Sequence, residues 1–171
     1  SQGVMPRDKI IGFNIGSAVP EKRWPAERFA DVADYFGNKG YKTVFFGGPM
    51  DLDMVKPVVA QMKTSPIVAT GAFKLGPLAA AMKWCDLLIT NDSGPMHVAI
   101  SQGVPIVALY GPSNPFFYGP YQAKSIVLES MDHYEIGKSM KQVIKEGKYK
   151  GISVITEEQV IKAAETLLQE S

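Results

Sequence analysis

The residues best suited to chemistry lie at 92–97, Asp92-Ser93-Gly94-Pro95-Met96-His97. Oxygens of Asp92 and Ser93 just ahead of a helix are capping groups, and Pro95 suits a first turn because it has no N–H to leave unsatisfied. The exposed N–H groups of Gly94, Met96 and His97 would then gather at a helix start carrying about +0.5 charge. That is the chemistry of an anion site, and phosphate is the expected anion. Asp92 has two readings: an N-cap worth about 1 kcal/mol, or a carboxylate that phosphate repels and that faces sugar hydroxyls instead. Ser93 fits a hydroxyl contact to phosphate, and His97 is either a structural residue or a ligand contact in the first turn. Lys22, in Glu21-Lys22-Arg23-Trp24-Pro25, is the charge best placed to act on a ligand. An ammonium on a flexible stem suits a diphosphate as a point charge; the alternative is a solvated loop lysine beside Glu21. Trp24 reads as packing that fixes the loop.

These residues need a scaffold that brings 22 and 92–97 together. The apolar run 87–90 reads as a fully buried strand. Residues 96–102 follow as a short helix stopped by Gly103, and 106–110 as the next strand. Around this βαβ unit the chain alternates. Strands are expected at 9–15, 43–46, 67–69 and 125–128. Helices are expected from Pro25 to about 39 (apolar stripe Phe29, Val32, Ala33, Phe36), at 52–62 and at 78–84, with another near 139–146. Pro57 would bend the second of these or mark its late start. A capping box, Thr156-x-x-Gln159, opens the last helix. Alternation with short junctions indicates one domain over 1–171, an α/β doubly wound parallel sheet of Rossmann-like type. Four strand ends carry glycine turns, Gly16-Ser17, Gly47-Gly48-Pro49, Gly71 and Ser93-Gly94, so one sheet edge is built as a binding rim.

Composition narrows the partners. The 171 residues are 46% hydrophobic, and 18 basic against 17 acidic residues give a net charge of +1, which argues against a nucleic-acid stripe. No apolar run approaches the roughly 18 residues of a membrane span. The first residues lack a secretory signal pattern, and the single cysteine, Cys85, is a packing residue that fits a reducing cytoplasm. Ser1 in place of an initiating methionine suggests a cloned fragment or a processed product. Three motifs carry less than they promise. Asp51-Leu52-Asp53 matches an Asp-x-Asp metal motif but sits at a helix start, where acids suit the dipole. Gly137-Lys138-Ser139 ends like a P-loop, yet Asp132 occupies the place of its first glycine. Gly12 and Gly16 lack dinucleotide-fingerprint spacing. His133 reads as a surface residue.

The segment 91–115 and the element Lys22-Arg23-Trp24-Pro25 resemble signatures of family 9 glycosyltransferases, the bacterial ADP-heptose:lipopolysaccharide heptosyltransferases. The first carries an Asp-Ser/Thr-Gly-x-x-His turn and Gly111-Pro112-Ser113-Asn114-Pro115, the second a Lys-x-Trp-Pro pattern. The resemblance runs from about 10 to 168 and reaches only the C-terminal half of the two-domain GT-B fold. It implies a donor-binding domain of an inverting transferase that moves heptose from ADP-heptose to the lipopolysaccharide inner core, with the N-terminal acceptor domain and its general base supplied elsewhere. By that likeness Lys22 contacts the donor diphosphate and stabilises its departure, Ser17 and Ala18 line the phosphate site, Asp92 meets the sugar, and Phe73 lies beside adenine, with core packing the equal alternative for Phe73. Asp51 is a candidate for the donor ribose. No metal or other cofactor is expected. The implied partners are the N-terminal domain, the nucleotide sugar and the core acceptor, with the enzyme cytoplasmic and peripheral to the inner membrane. Cysteines that many members carry around 131–151 are absent here. A non-catalytic nucleotide-sugar-binding module, half of another GT-B transferase, or half of a sugar-nucleotide epimerase are the alternatives.

Overall fold

The computed structural model describes Met5 and residues 7–131, 137–147 and 149–170. Five-residue apolar runs form the inner strands β1 (Ile10–Asn14), β2 (Lys42–Phe46), β4 (Leu87–Asn91) and β5 (Ile106–Tyr110). The short β3 (Ile67–Val68) and the half-buried β6 (Ser125–Glu129) stand at the edges. All pairs are parallel, in the order β3-β2-β1-β4-β5-β6. The chain therefore winds outward from β1 in one direction and from β4 in the other. The crevice between the carboxyl ends of β1 and β4 is the topological switch point, where open α/β sheets bind ligands.

Side chains alternate across the strands, which gives two cores. Ile11, Phe13, Phe45, Ile89 and Val107 pack with the buried faces of α1 (Ala26–Asn38), α2 (Leu52–Gln61) and α7 (Glu157–Gln169). Ile10, Val44, Leu88, Ile106 and Tyr110 pack with Met82 of α3 (Leu75–Met82) and with Met96 and Ala99 of α4 (Gly94–Ser101). Gly12 is needed on this second face, where an added Cβ would meet Leu88 at 2.9 Å and Phe46 at 3.0 Å. Cys85 is buried there too, and burial pushes its thiol up to about 12, consistent with a packing role.

Three expectations shift. Pro57 lies inside a continuous α2, entered through a 3-10 turn at Pro49–Asp51. The loop expected at 111–121 contains a one-turn helix, α5 (Pro115–Tyr118), capped by Asn114, which accepts the Phe116 N–H at 2.8 Å. Helix α3 begins at Leu75 rather than 78. The Thr156–Gln159 capping box forms as read. Residues 139–146 give a short α6 (Met140–Lys145), with Ser139 at its N-cap.

Candidate functional site

Every residue singled out for the ligand lies beyond the carboxyl end of a strand. Ser17, Ala18 and Lys22 follow β1, Asp51 follows β2, Phe73 follows β3, and 92–97 follow β4. The fold brings the two main groups into contact across the switch point. Lys22, on a 3-10 turn at Pro20–Lys22, donates from Nζ to Asp92 Oδ2 at 2.5 Å. Ser113, beyond β5, donates its hydroxyl to the same oxygen at 2.7 Å. Both side chains of the ion pair are largely shielded, Lys22 at 16% exposure and Asp92 at 6%.

The N-cap reading of Asp92 is corrected. Ser93 holds the N-cap position of α4, and neither side chain caps the helix. Asp92 instead takes a cation from Lys22, beyond β1, and a hydroxyl from Ser113, beyond β5. Ser93 accepts from Asn14 Nδ2 at 2.7 Å and donates to the Asn91 carbonyl at 3.2 Å. The cradle of three N–H groups is also reduced: the Met96 N–H reaches the Ser93 carbonyl at 3.2 Å. Helix α4 begins at Gly94, two residues earlier than expected, with Pro95 in its first turn and His97 exposed.

The other candidates are local. The Ser17 hydroxyl accepts the Val19 N–H at 3.3 Å, and Ala18 is exposed beside it. Asp51 accepts the Gly48 N–H at 2.8 Å across the 3-10 turn at Pro49–Asp51. Its carboxylate also leans over the first turn, where a Cβ on Gly16 would collide with it. Asp53 is exposed on α2. Phe73 is 38% exposed at the β3 edge of the rim. Gly137-Lys138-Ser139 starts the short α6, and Lys138 pairs with Glu146 at 2.7 Å. His133 lies outside the described residues.

Several residues that matter here were not singled out from the sequence. Asn91 accepts the Trp24 N–H at 3.1 Å and donates to the Ile15 carbonyl at 2.9 Å, so β4 holds both ends of the Lys22 loop. Arg23 Nε ties the loop to the Ser17 carbonyl at 2.8 Å. Tyr149 donates to the Glu21 carbonyl at 2.6 Å from the far end of the chain. Burial pushes its phenol up, which keeps it a donor. Trp24 is a packing residue, as read: it meets Phe29 edge-on and donates to the Ile155 carbonyl at 2.9 Å. The available signal was Asn14, Asn91 and Ser113 themselves, polar residues inside or beside buried runs, which are hydrogen-bonded as a rule.

The arrangement offers complementary valences. An ammonium has three donors, and Lys22 spends one on Asp92. Both bonds to Asp92 fall on Oδ2, so none of the described residues donates to Oδ1. A free ammonium N–H beside a free carboxylate oxygen suits a ligand with phosphate next to hydroxyls. The glycosyltransferase family 9 (heptosyltransferase) model matches residues 2–150. The chain belongs to glycosyltransferase family 9. Lipopolysaccharide heptosyltransferase 2 of Salmonella typhimurium is 32% identical over 166 residues, which are 94% of this chain and 47% of that protein. A crystal structure of a family 9 glycosyl transferase from Veillonella parvula is 80% identical, with a TM-score of 0.94 over 99% of this chain and 48% of that one. The ADP-heptose LPS heptosyltransferase II of Escherichia coli is 30% identical, with a TM-score of 0.82 over 98% of this chain and 49% of that one. The chain thus spans about half the length of the curated family 9 relatives it matches.

Proposed function

We propose that this chain is the donor-binding half of an inverting heptosyltransferase that transfers heptose from ADP-heptose to the lipopolysaccharide inner core. The observation that carries the reading is the Lys22–Asp92–Ser113 cluster at the switch point, next to the N-terminus of α4. The order of candidates along the sheet edge supports it. From β3 to β5 come Phe73, Asp51, Ser17 with Lys22, Asp92 with Ser93, and Ser113, an order that suits base, ribose, diphosphate and sugar in turn. Lys22 and the first turn of α4 meet the diphosphate, and Asp92 Oδ1 accepts from a sugar hydroxyl. As the bond between anomeric carbon and phosphate oxygen breaks, charge grows on the leaving diphosphate, where a preorganised ammonium and helix terminus stabilise it. A base on the other half of the enzyme takes the acceptor hydroxyl proton. No metal is required in this scheme.

The partners are accordingly the donor, the core acceptor and an N-terminal domain of the same enzyme, working on the cytoplasmic side at the inner-membrane surface. Among the described residues no helix is long and apolar enough to cross a membrane. Thermal shift with ADP, ADP-heptose, UDP and NAD tests the donor class. Stabilisation follows mass action, about 2.7 kcal/mol at a hundredfold excess over Kd. ADP and ADP-heptose are expected to stabilise the chain most, and equal or greater stabilisation by NAD overturns the reading. ADP binding is expected to persist in EDTA; its complete loss would instead implicate Asp51 and Asp53 as metal ligands.

A further inference from the structure

Asn14 ends β1 inside the switch point and is wholly buried, out of reach of any ligand on the rim. It stands opposite Thr90 in the parallel pair of β1 and β4. Its amide nitrogen lies 3.0 Å from the Thr90 hydroxyl, 2.7 Å from the Ser93 hydroxyl and 3.4 Å from the Gly16 carbonyl. Its amide oxygen has no partner among the described residues. A carbonyl can only accept, so Gly16 fixes which end of the amide faces this side. A buried amide oxygen without a partner is uncommon and destabilising, so packing alone would be served better by an apolar side chain. The donor end is where Asn14 acts.

There it sets the direction of the Ser93 hydroxyl. Ser93 holds the N-cap position of α4, where a serine oxygen ordinarily accepts an N–H of the first turn. Here its side chain caps none of them. The oxygen accepts from Asn14 instead, and Ser93 is left as a donor. Its hydrogen goes to the Asn91 carbonyl at a long 3.2 Å. Thr90 already donates to that carbonyl at 2.8 Å. The Ser93 hydrogen can therefore swing to an arriving anion without orphaning a buried acceptor. The same bond from Asn14 holds the serine oxygen off the helix, so the first-turn N–H groups have no side-chain cap competing with that anion.

We propose that Asn14 is a positioning residue: it turns the Ser93 hydroxyl into a donor to the ligand's phosphate and keeps the start of α4 uncapped. The phosphate comes from the nucleotide-sugar reading above, on which the proposal rests. The 171-residue chain, Asn14→Leu, Ser93→Ala and the double variant are titrated calorimetrically with ADP and with pyrophosphate. Melting curves confirm that each variant folds, and Asn14→Ala, also without a donor, stands in if leucine is not tolerated. Ser93→Ala loses a hydrogen bond to a charged group and should weaken binding about tenfold or more. Asn14→Leu should lose roughly 3- to 10-fold, because the released Ser93 oxygen is then free to cap the helix. Asn14→Asp, whose carboxylate reverses the bond by accepting from Ser93, should lose at least as much. In the Ser93→Ala background the leucine substitution should cost nothing further, a coupling that a purely structural role would not produce. Parent-like affinity in folded Asn14 variants, or losses that simply add in the double variant, overturn the proposal. A parent that binds pyrophosphate but not ADP overturns the nucleotide reading, and the pyrophosphate cycle then decides Asn14 alone. A parent that binds neither overturns both.

Discussion

Lys22 and Asp92 hold each other across the crevice while each keeps valence for a ligand. Removing one partner of a shielded pair leaves the other uncompensated, so the two single substitutions should behave differently. Lys22→Ala removes a donor to phosphate, and hydrogen bonds to charged groups are worth roughly 1.5–3 kcal/mol, or about 10- to 150-fold in ADP affinity. AMP, lacking the second phosphate, should lose less. Calorimetry giving parent-like ADP affinity would return Lys22 to a purely structural role. Asp34 on α1 illustrates a carboxylate with no part in the site. Burial pushes it up, but the N–H groups of Lys63 and Thr64 and the Thr64 hydroxyl outweigh that and hold it below its ordinary value. A depressed folded-state pKa stabilises the fold above the unfolded value of about 3.9, and that contribution disappears as pH falls through the folded value. Asp34→Asn should therefore cost roughly 1–3 kcal/mol at pH 7. Urea titrations from pH 7 downward should show the gap to the parent narrowing below about pH 4.

The element that decides the site is the loop between β1 and α1, because it carries Lys22 but has no strand or long helix of its own. It is fastened instead by Asn91 from β4, by Trp24 against Ile155, and by Tyr149 on Glu21. Gly111 lets Tyr149 come close, since a Cβ there would meet the Tyr149 hydroxyl at 2.9 Å and the Glu21 carbonyl oxygen at 2.8 Å. Asn91→Ala strips partners from two backbone groups and should cost on the order of 2–3 kcal/mol, a fall of roughly 4–12 °C in Tm for a domain of this size. Tyr149→Phe removes the hydroxyl bond to the Glu21 carbonyl, a neutral bond worth about 0.5–1.5 kcal/mol, together with that hydroxyl's contacts to Ile152 and Ser130. It should weaken ADP binding by loosening Lys22 while shifting Tm by only a few degrees. An unchanged ADP affinity in Tyr149→Phe would mean the loop is rigid without that strap.

At the scale of the molecule, six parallel strands share one carboxyl rim, and the curated relatives are about twice as long as this chain, so under the proposed function this rim would be one wall of a cleft. Glycosyl transfer between two bound sugars draws on proximity and on exclusion of water when a cleft closes. The 171-residue chain alone is therefore expected to bind ADP but to release none from ADP-heptose in an acceptor-dependent way. Adding an N-terminal half, fused or as a separate chain, should restore release; acceptor-dependent turnover by the chain alone would overturn the half-enzyme reading. The sequence by itself determined the sheet, because buried strands and capped amphipathic helices declare themselves through local periodicity, as in 87–90 and in Thr156-x-x-Gln159. It also placed Lys22 and Asp92 on the same rim through their motifs and glycine turns. Only the tertiary structure decided what Asp92 does. Capping is a local competition legible over four residues, whereas its bonds to Lys22 and Ser113 span 70 and 21 residues and form only once β1, β4 and β5 lie side by side. The same holds for Tyr149, 128 residues from Glu21, and for Asn14, 79 residues from Ser93, since no periodicity records which distant surfaces a folded sheet edge brings together.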